Sequence, residues 1–300
     1  MKLLTARVAD DYRLHIETPT GFVDVDAAAT LADEPALHGL MDVGALLRAD
    51  DTVRAALARA GQHLARAWQP LPARPLEALT LAPPILAPSK IICVGHNYRA
   101  HVAEGGAEIP AEPLLFAKCA NALIGHGDQI LYPSITTQLD YEGELAIIIG
   151  RRASRVPESR AMDYVAGFTI MNDISARDLQ HGVSQWFYGK SLDTFAPLGP
   201  CVVTVDAAGP YASMRLQTRV NGELRQDSSC GDMIFGPEQL IAFIARAITL
   251  EPGDIIATGT PSGVGLGFHP PRYLTDGDVI EISIDMLGTL RSSVVTRTDL

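Results

Sequence analysis

Two carboxylates one residue apart, Glu142 and Glu144, stand at the head of a run of β-forming residues, Leu145 to Ile149. On a strand, alternate side chains share a face, so both acids point the same way, toward the side that continues through Ala146 and Ile148. Like charges held together away from water must take up a proton, find a cation or sit at a wet sheet end. A third acid, Asp173, closes another strand-like run, Phe168 to Asn172. Three carboxylates converging from strand ends form a hard oxygen donor set suited to Mg²⁺ or Mn²⁺, where histidine or cysteine would point to zinc. The plainer reading of a lone Glu-x-Glu is a solvated strand start. Upstream, His101 and Glu104 are three residues apart, on one face of a short helix. A carboxylate beside an imidazole orients it and raises its basicity, as a water-activating base requires. Alone, such a pair is ordinarily an incidental surface contact. Gly105-Gly106 directly after it gives the segment freedom to move as a lid.

The elements that must position these groups are short. Beyond Pro88 the chain reads as β-type runs broken by Gly and Pro: Lys90 to Val94, Leu145 to Ile149, Ala166 to Met171, Cys201 to Val205, Asp254 to Ala257 and Val279 to Ile284. Asn221-Gly222 between two such runs is a two-residue hairpin signal, because both turn positions favour positive φ. Pro237 opens a helix, Glu238 to Leu250, with Leu240, Ile241, Ile244 and Ile248 along one side. Before Pro88, residues Lys2 to Val25 read as short strands, with a turn at Thr18-Pro19-Thr20-Gly21. Asp50-Asp51-Thr52 precedes an apolar stripe of Val53, Leu57, Ala60 and Leu64, which predicts a surface helix ending near Trp68. The prolines from Pro70 to Pro88 interrupt regular structure. The expected organisation is therefore an α+β, β-rich chain: a small N-terminal α+β domain over 1–70, a Pro-rich linker over 71–88, and a catalytic domain over 89–300.

Composition narrows the function. A chain of 300 residues, 47% hydrophobic and 20% charged, can bury a substantial core with a minor appendage. A net charge of −11 argues against a nucleic-acid partner, which requires a basic footprint. Small-molecule chemistry fits better. The first residues lack the apolar core of a signal peptide, and no stretch is long enough to span a membrane. The cysteines, Cys93, Cys119, Cys201 and Cys230, show no paired spacing and read as reduced thiols, which implies a cytoplasmic protein.

Taken together, five segments resemble the fumarylacetoacetate hydrolase superfamily, enzymes that cleave or rearrange metal-chelated 2-oxo acids. They are Gly95-x-Asn97-Tyr98-x-x-His101-x-x-Glu104, Tyr141 to Leu145, Asn172 to Gln180, Gly189 to Pro200, and Ala257 to Gly265, in this order along Lys90 to Arg291. The resemblance implies a mixed β-roll catalytic domain and a homodimer. It implies Glu142, Glu144 and Asp173 as ligands of Mg²⁺ or Mn²⁺. It implies His101 and Glu104 as a water-activating pair on a lid, Lys190 reaching the substrate, and Gln180 and Thr260 lining the pocket. Lys190, taken alone between Gly189 and Ser191, is an ordinary loop residue. His96 falls at a variable position and either touches substrate or caps its segment. The larger eukaryotic-type members of that family supply a fourth acid just before the lid helix, and none lies between Ile91 and Asn97, so the resemblance implies a site of the three-carboxylate kind. Arg177 and Asp178 are expected to pair with each other in a bracing role. The Gly259 to Gly265 run lacks a P-loop lysine and reads as a backbone turn against the substrate. The expected reaction is hydrolysis of a C–C bond in a 2,4-dioxo acid of the acylpyruvate type. Decarboxylation and tautomerisation or isomerisation on the same site are the alternatives. A metal-stabilised binding protein is the non-enzymatic alternative, but it would have no use for His101, Glu104 and Lys190 together.

Overall fold

The computed structural model describes residues 1–66 and 71–296. Its main sheet has eleven strands. The principal path runs Gly21–Asp24, Asp11–Thr18, Lys2–Val8, Ala196–Thr204, Val165–Asn172, Gly143–Ile149, Ile255–Ala257, Ile91–Gly95 and Leu114–Lys118. A five-stranded sheet, in the order Glu223–Ser229, Arg215–Val220, Val279–Ile284, Gly288–Thr296 and Gln129–Tyr132, packs against it. Pairing is mostly antiparallel, but Ile255–Ala257 runs parallel to Ile91–Gly95, and Gly288–Thr296 parallel to Gln129–Tyr132. This is the mixed, strand-rich α+β architecture expected.

The central strand, Gly143–Ile149, is buried at every residue. Its Ile147-Ile148-Ile149 run is apolar on both faces because both faces are covered. At Gly143 the sheets come so close that a Cβ would overlap the Thr218 hydroxyl, so the start of the carboxylate-bearing strand is pressed directly onto the second sheet. The Asn221-Gly222 turn forms as expected, with φ of 53° and 80° joining Arg215–Val220 to Glu223–Ser229.

The N-terminal strands join the main sheet: Leu3 pairs with Val202 and Lys2 with Val203. A single apolar cluster runs from Leu4, Leu14 and Val23 through Ile147 and Phe168 to Leu240. The helix Asp51–Ala65 is capped by Asp50, whose carboxylate accepts from Thr52 and Val53 N–H. It buries Ala56, Leu57, Ala60 and Leu64, and its expected end at Trp68 lies outside the described residues. Within 71–88, Thr80–Leu81 forms a short strand on Lys2–Val8. The helix that opens at Pro237 stops at Ala245, shorter than its apolar stripe, and Ile248 is 42% exposed.

Candidate metal centre and cavity

Antiparallel pairing of Gly143–Ile149 with Val165–Asn172 sets Gly143 opposite Asn172. That register brings Glu142 and Asp173, the residues just outside the two strands, side by side. The Asp173 N–H donates to Glu142 carbonyl (2.9 Å), and Glu142 N–H donates to the Asn172 side chain (3.1 Å). Glu144 follows on the strand itself. One oxygen from each of Glu142, Glu144 and Asp173 lies within 4.8 Å of the others, and the three residues are 6%, 1% and 0% exposed. A cluster of hard oxygens of this kind is able to hold a divalent cation.

Three buried cations surround the cluster. Lys190 Nζ donates to Glu142 Oε2 and Asp173 Oδ2, both at 2.7 Å. Lys118 Nζ reaches Asp173 Oδ1 at 2.6 Å and Ile174 carbonyl at 3.0 Å. Arg177 bridges two acids, with Nη1 2.7 Å from Glu142 Oε1 and Nε 2.8 Å from Asp140 Oδ2. Among the described residues, no side-chain cation pairs with Glu144. Its partner is the Gly259 N–H at 2.8 Å, and Gly259 presents that N–H from φ 96°, where a Cβ would press into Asn97. Burial, then Asp173 and Glu142, push the Glu144 carboxyl well above the usual carboxylate range. Burial also works against the Glu142 charge, but Lys190 and Arg177 outweigh it and hold Glu142 well below that range. This contrast makes Glu144 the place where the cluster lacks positive charge, which is where a bound cation would fit.

Glu142 and Glu144 line a cavity of about 320 Å³, in which His96, His101, Gln180, Lys190 and Thr260 also take part, with Asp173 buried behind them. His101 and Glu104 sit on the helix Arg99–Glu104, with Nδ1 3.1 Å from Glu104 Oε2. Glu104 itself turns away from the cavity wall, and its Oε1 accepts the Gly263 N–H at 2.9 Å. Thr260 spends its hydroxyl proton on Gly143 carbonyl (3.0 Å) and accepts from Gln226 (2.7 Å). Gln180 Oε1 takes Arg177 Nη1 at 3.0 Å. His96 holds φ 54°, a left-handed conformation costly for a residue with a Cβ, and packs edge-on against His101 and Trp186.

Several participants were not anticipated. Lys118 is separated from Asp173 by 55 positions, and nothing in Phe-Ala-Lys-Cys marks it as buried. Arg177 and Asp178 do not pair: adjacent helical residues face apart. Arg177 turns inward to Asp140 and Glu142, while Asp178 accepts from Thr136 and Thr137 on the outer side. Arg177 Nη2 is buried without a partner. Asp140, fully buried, accepts from Gly265 N–H (2.7 Å), Leu266 N–H (3.0 Å), Tyr141 N–H (2.9 Å) and Arg177. The glycine-rich turn therefore folds against carboxylates. Trp186 and Phe116 supply an aromatic wall, their rings 5.5 Å apart.

Known proteins resemble this chain in sequence and in fold. The chain is 50% identical over 223 residues to the oxaloacetate tautomerase YisK of Bacillus subtilis, covering 73% of this chain and 74% of that protein. It is 43% identical over 227 residues to a mitochondrial oxaloacetate tautomerase of Bos taurus, covering 75% and 72% respectively. The structure of a fumarylacetoacetate hydrolase from Exiguobacterium antarcticum superposes with a TM-score of 0.77 at 37% identity, over 99% of this chain and 100% of that one. Maleylpyruvate hydrolase from Sphingobium superposes with a TM-score of 0.78 at 31% identity, over 99% and 100%. Residues 90–295 match the C-terminal domain family of fumarylacetoacetate hydrolases, and the chain belongs to the fumarylacetoacetate hydrolase superfamily.

Proposed function

We propose that the protein is a divalent-metal-dependent enzyme that interconverts the enol and keto forms of a short 2-oxo dicarboxylic acid of the oxaloacetate type. The observation that carries this reading is the buried triad of Glu142, Glu144 and Asp173, undercompensated at Glu144, at the wall of a cavity that His101 also lines. Glu142, Glu144 and Asp173 would hold a Mg²⁺ or Mn²⁺ ion, which would supply Lewis acidity toward a 2-oxo group. Lys190 and the unpartnered N–H of Arg177 Nη2 are the donors available to the oxygen on which negative charge develops. His101 moves the proton. Its Nδ1–H donates to Glu104, which fixes the tautomer and leaves Nε2 as the base that takes a proton from C3 and returns it to the 2-oxygen. Glu104 orients that ring.

Hydrolysis of a 2,4-dioxo acid is the second reading. It needs the same enolate and, in addition, a water activated by His101 and Glu104, and the structurally similar maleylpyruvate hydrolase is named for such chemistry. The names of the tautomerase relatives weigh toward the simpler proton transfer. One experiment separates the two. The enzyme with Mg²⁺ is given enol oxaloacetate, and the decay of enol absorbance is followed against the uncatalysed rate. A panel of acylpyruvates is run in parallel in ¹⁸O-water. Accelerated ketonisation without label supports the proposal, whereas ¹⁸O in a released carboxylic acid with no effect on oxaloacetate overturns it. A homodimer is part of the proposal, and light scattering that reads a monomer at micromolar concentration removes that part.

A further inference from the structure

The helix Arg99–Glu104 carries His101 over the cavity, so whatever seats that helix sets the position of the base. Asn97 and Tyr98, both buried, anchor its N-terminal end, and Val102 packs inward; its C-terminal end is tied to the glycine-rich turn through Glu104. One carboxylate oxygen takes His101, and the other takes the Gly263 N–H at 2.9 Å. The third partner is an absence of atoms: at Gly267, a Cβ would overlap Glu104 Cδ and Oε1. The Gly267 backbone is outside the left-handed region, so an alanine there meets no conformational objection, only a spatial one.

Which side would yield to that Cβ follows from how each is held. The loop is pinned from behind, because Asp140 takes the N–H groups of both Gly265 and Leu266, and Asp140 is itself fixed by Arg177 at 2.8 Å. A Cβ at Gly265 would come within 2.5 Å of Asp140 Oδ1, so there is no slack on that side. The C-terminal end of the helix is held more loosely. The helix has six residues, and Gly105 and Gly106 follow it, Gly106 at φ 64° with nothing near where a Cβ would be. Glu104 is 18% exposed, whereas Asp140 is fully buried. The Glu104 side chain therefore yields and the loop stays, and with that side chain the end of the helix loses its tie to Gly263.

We propose that Gly267 is a positioning residue for the base: the gap it leaves is the seat for the Glu104 carboxylate, and occupancy of that seat closes the His101 helix over the cavity. The proposal rests on the reading of His101 as the base, but its first readout does not depend on which reaction is catalysed. Hydrogen exchange over 99–106 is measured by mass spectrometry in wild type, Gly267→Ala, Glu104→Ala and the double variant, with turnover of oxaloacetate measured alongside. In Gly267→Ala, exchange over 99–106 rises and kcat falls, each by about tenfold or more, the size of effect expected when two groups in direct contact are uncoupled. In the Glu104→Ala background, adding Gly267→Ala changes neither quantity further. Wild-type exchange and kcat in Gly267→Ala overturn the proposal, and so does an effect of Gly267→Ala that persists undiminished without the Glu104 carboxylate. If Gly267→Ala alone does not fold, a folded double variant that exchanges like Glu104→Ala supports the seat, and an unfolded double variant overturns it. Raised exchange with oxaloacetate untouched in wild type leaves the seat standing and removes the tautomerase reading instead.

Discussion

Replacing Glu144 by Gln fixes in neutral form a carboxyl whose charge its surroundings oppose, with almost no change of volume, and the structure sets the direction of its effect. Four buried acids, Asp140, Glu142, Glu144 and Asp173, meet three buried cations, Lys118, Lys190 and Arg177, so one negative charge is left over. Glu144 is the acid with only a backbone partner. At a separation of 4.8 Å, each carboxylate pair repels by about 3.5 kcal/mol at an effective dielectric near 20. Two such neighbours give about 7 kcal/mol before the lysines and proton uptake offset most of it. The net gain is about 1–4 kcal/mol, the size of gain seen when a buried ion pair is replaced by neutral groups of similar volume. In chelator, Glu144→Gln is therefore more stable than wild type, with Tm raised about 2–4 °C for each kcal/mol. With Mg²⁺ at a hundred times its Kd, wild type gains about 2.7 kcal/mol, and the variant gains nothing. Differential scanning calorimetry in chelator and in Mg²⁺ reads both effects. A variant that is less stable than wild type in chelator, or that keeps the full Mg²⁺ shift, refutes the electrostatic reasoning.

Other perturbations divide the site into parts. His101→Ala lowers turnover by about 10²–10⁴, the usual contribution of a general base, yet keeps the Mg²⁺-dependent Tm shift, and loss of that shift would place His101 in the metal site. Lys118→Met preserves length but leaves the Ile174 carbonyl without its donor and Asp173 with Lys190 alone. It lowers unfolding free energy by about 3–5 kcal/mol in urea titrations, as removal of one partner of a buried pair does, and a loss under about 1 kcal/mol would show that Lys190 suffices. Glu104→Gln keeps the side-chain size but weakens the orientation of the imidazole. Its kcat falls by about tenfold or more, and an unchanged rate would detach Glu104 from the base.

The candidate site was legible where chemistry is written in short segments. Glu142 and Glu144 are one strand step apart, and Asp173 ends a visible β run, so the acids could be gathered without knowing the fold. Their counter-charges could not. Lys118 and Arg177 come to the cluster through sheet pairing and a turn, and a lysine at the end of Leu114–Lys118 looks like any strand terminus until Ile91–Gly95 is laid beside it. Arg177 next to Asp178 invited a local pair that helical geometry forbids. The contact of His101 with Glu104 could be read from their spacing, but that of Glu104 with Gly263 could not, because it spans 159 positions. The β runs and the Asn221-Gly222 hairpin were local and came out nearly as read. The attachment of Lys2–Val8 to Ala196–Thr204 depends on long-range pairing that no local pattern encodes.

That attachment has a consequence for how the protein is made. Lys2 pairs with Val203, so the first strand leaves the ribosome long before its neighbour exists. At about 5–20 residues per second, the wait is roughly 10–40 s. Thr80–Leu81 covers the free edge of Lys2–Val8 only at Ala6 and Arg7, so until Ala196–Thr204 arrives Lys2 and Leu3 remain an exposed template for pairing with another nascent chain. In the finished sheet Ala196–Thr204 is an interior strand, with Lys2–Val8 on one side and Val165–Asn172 on the other. A chain begun at Pro88 would carry the candidate site residues but leave that strand uncovered at Val202 and Val203. Overproduction of either piece alone is thus a route to aggregation, and co-production of the two is the way for each to cover the other.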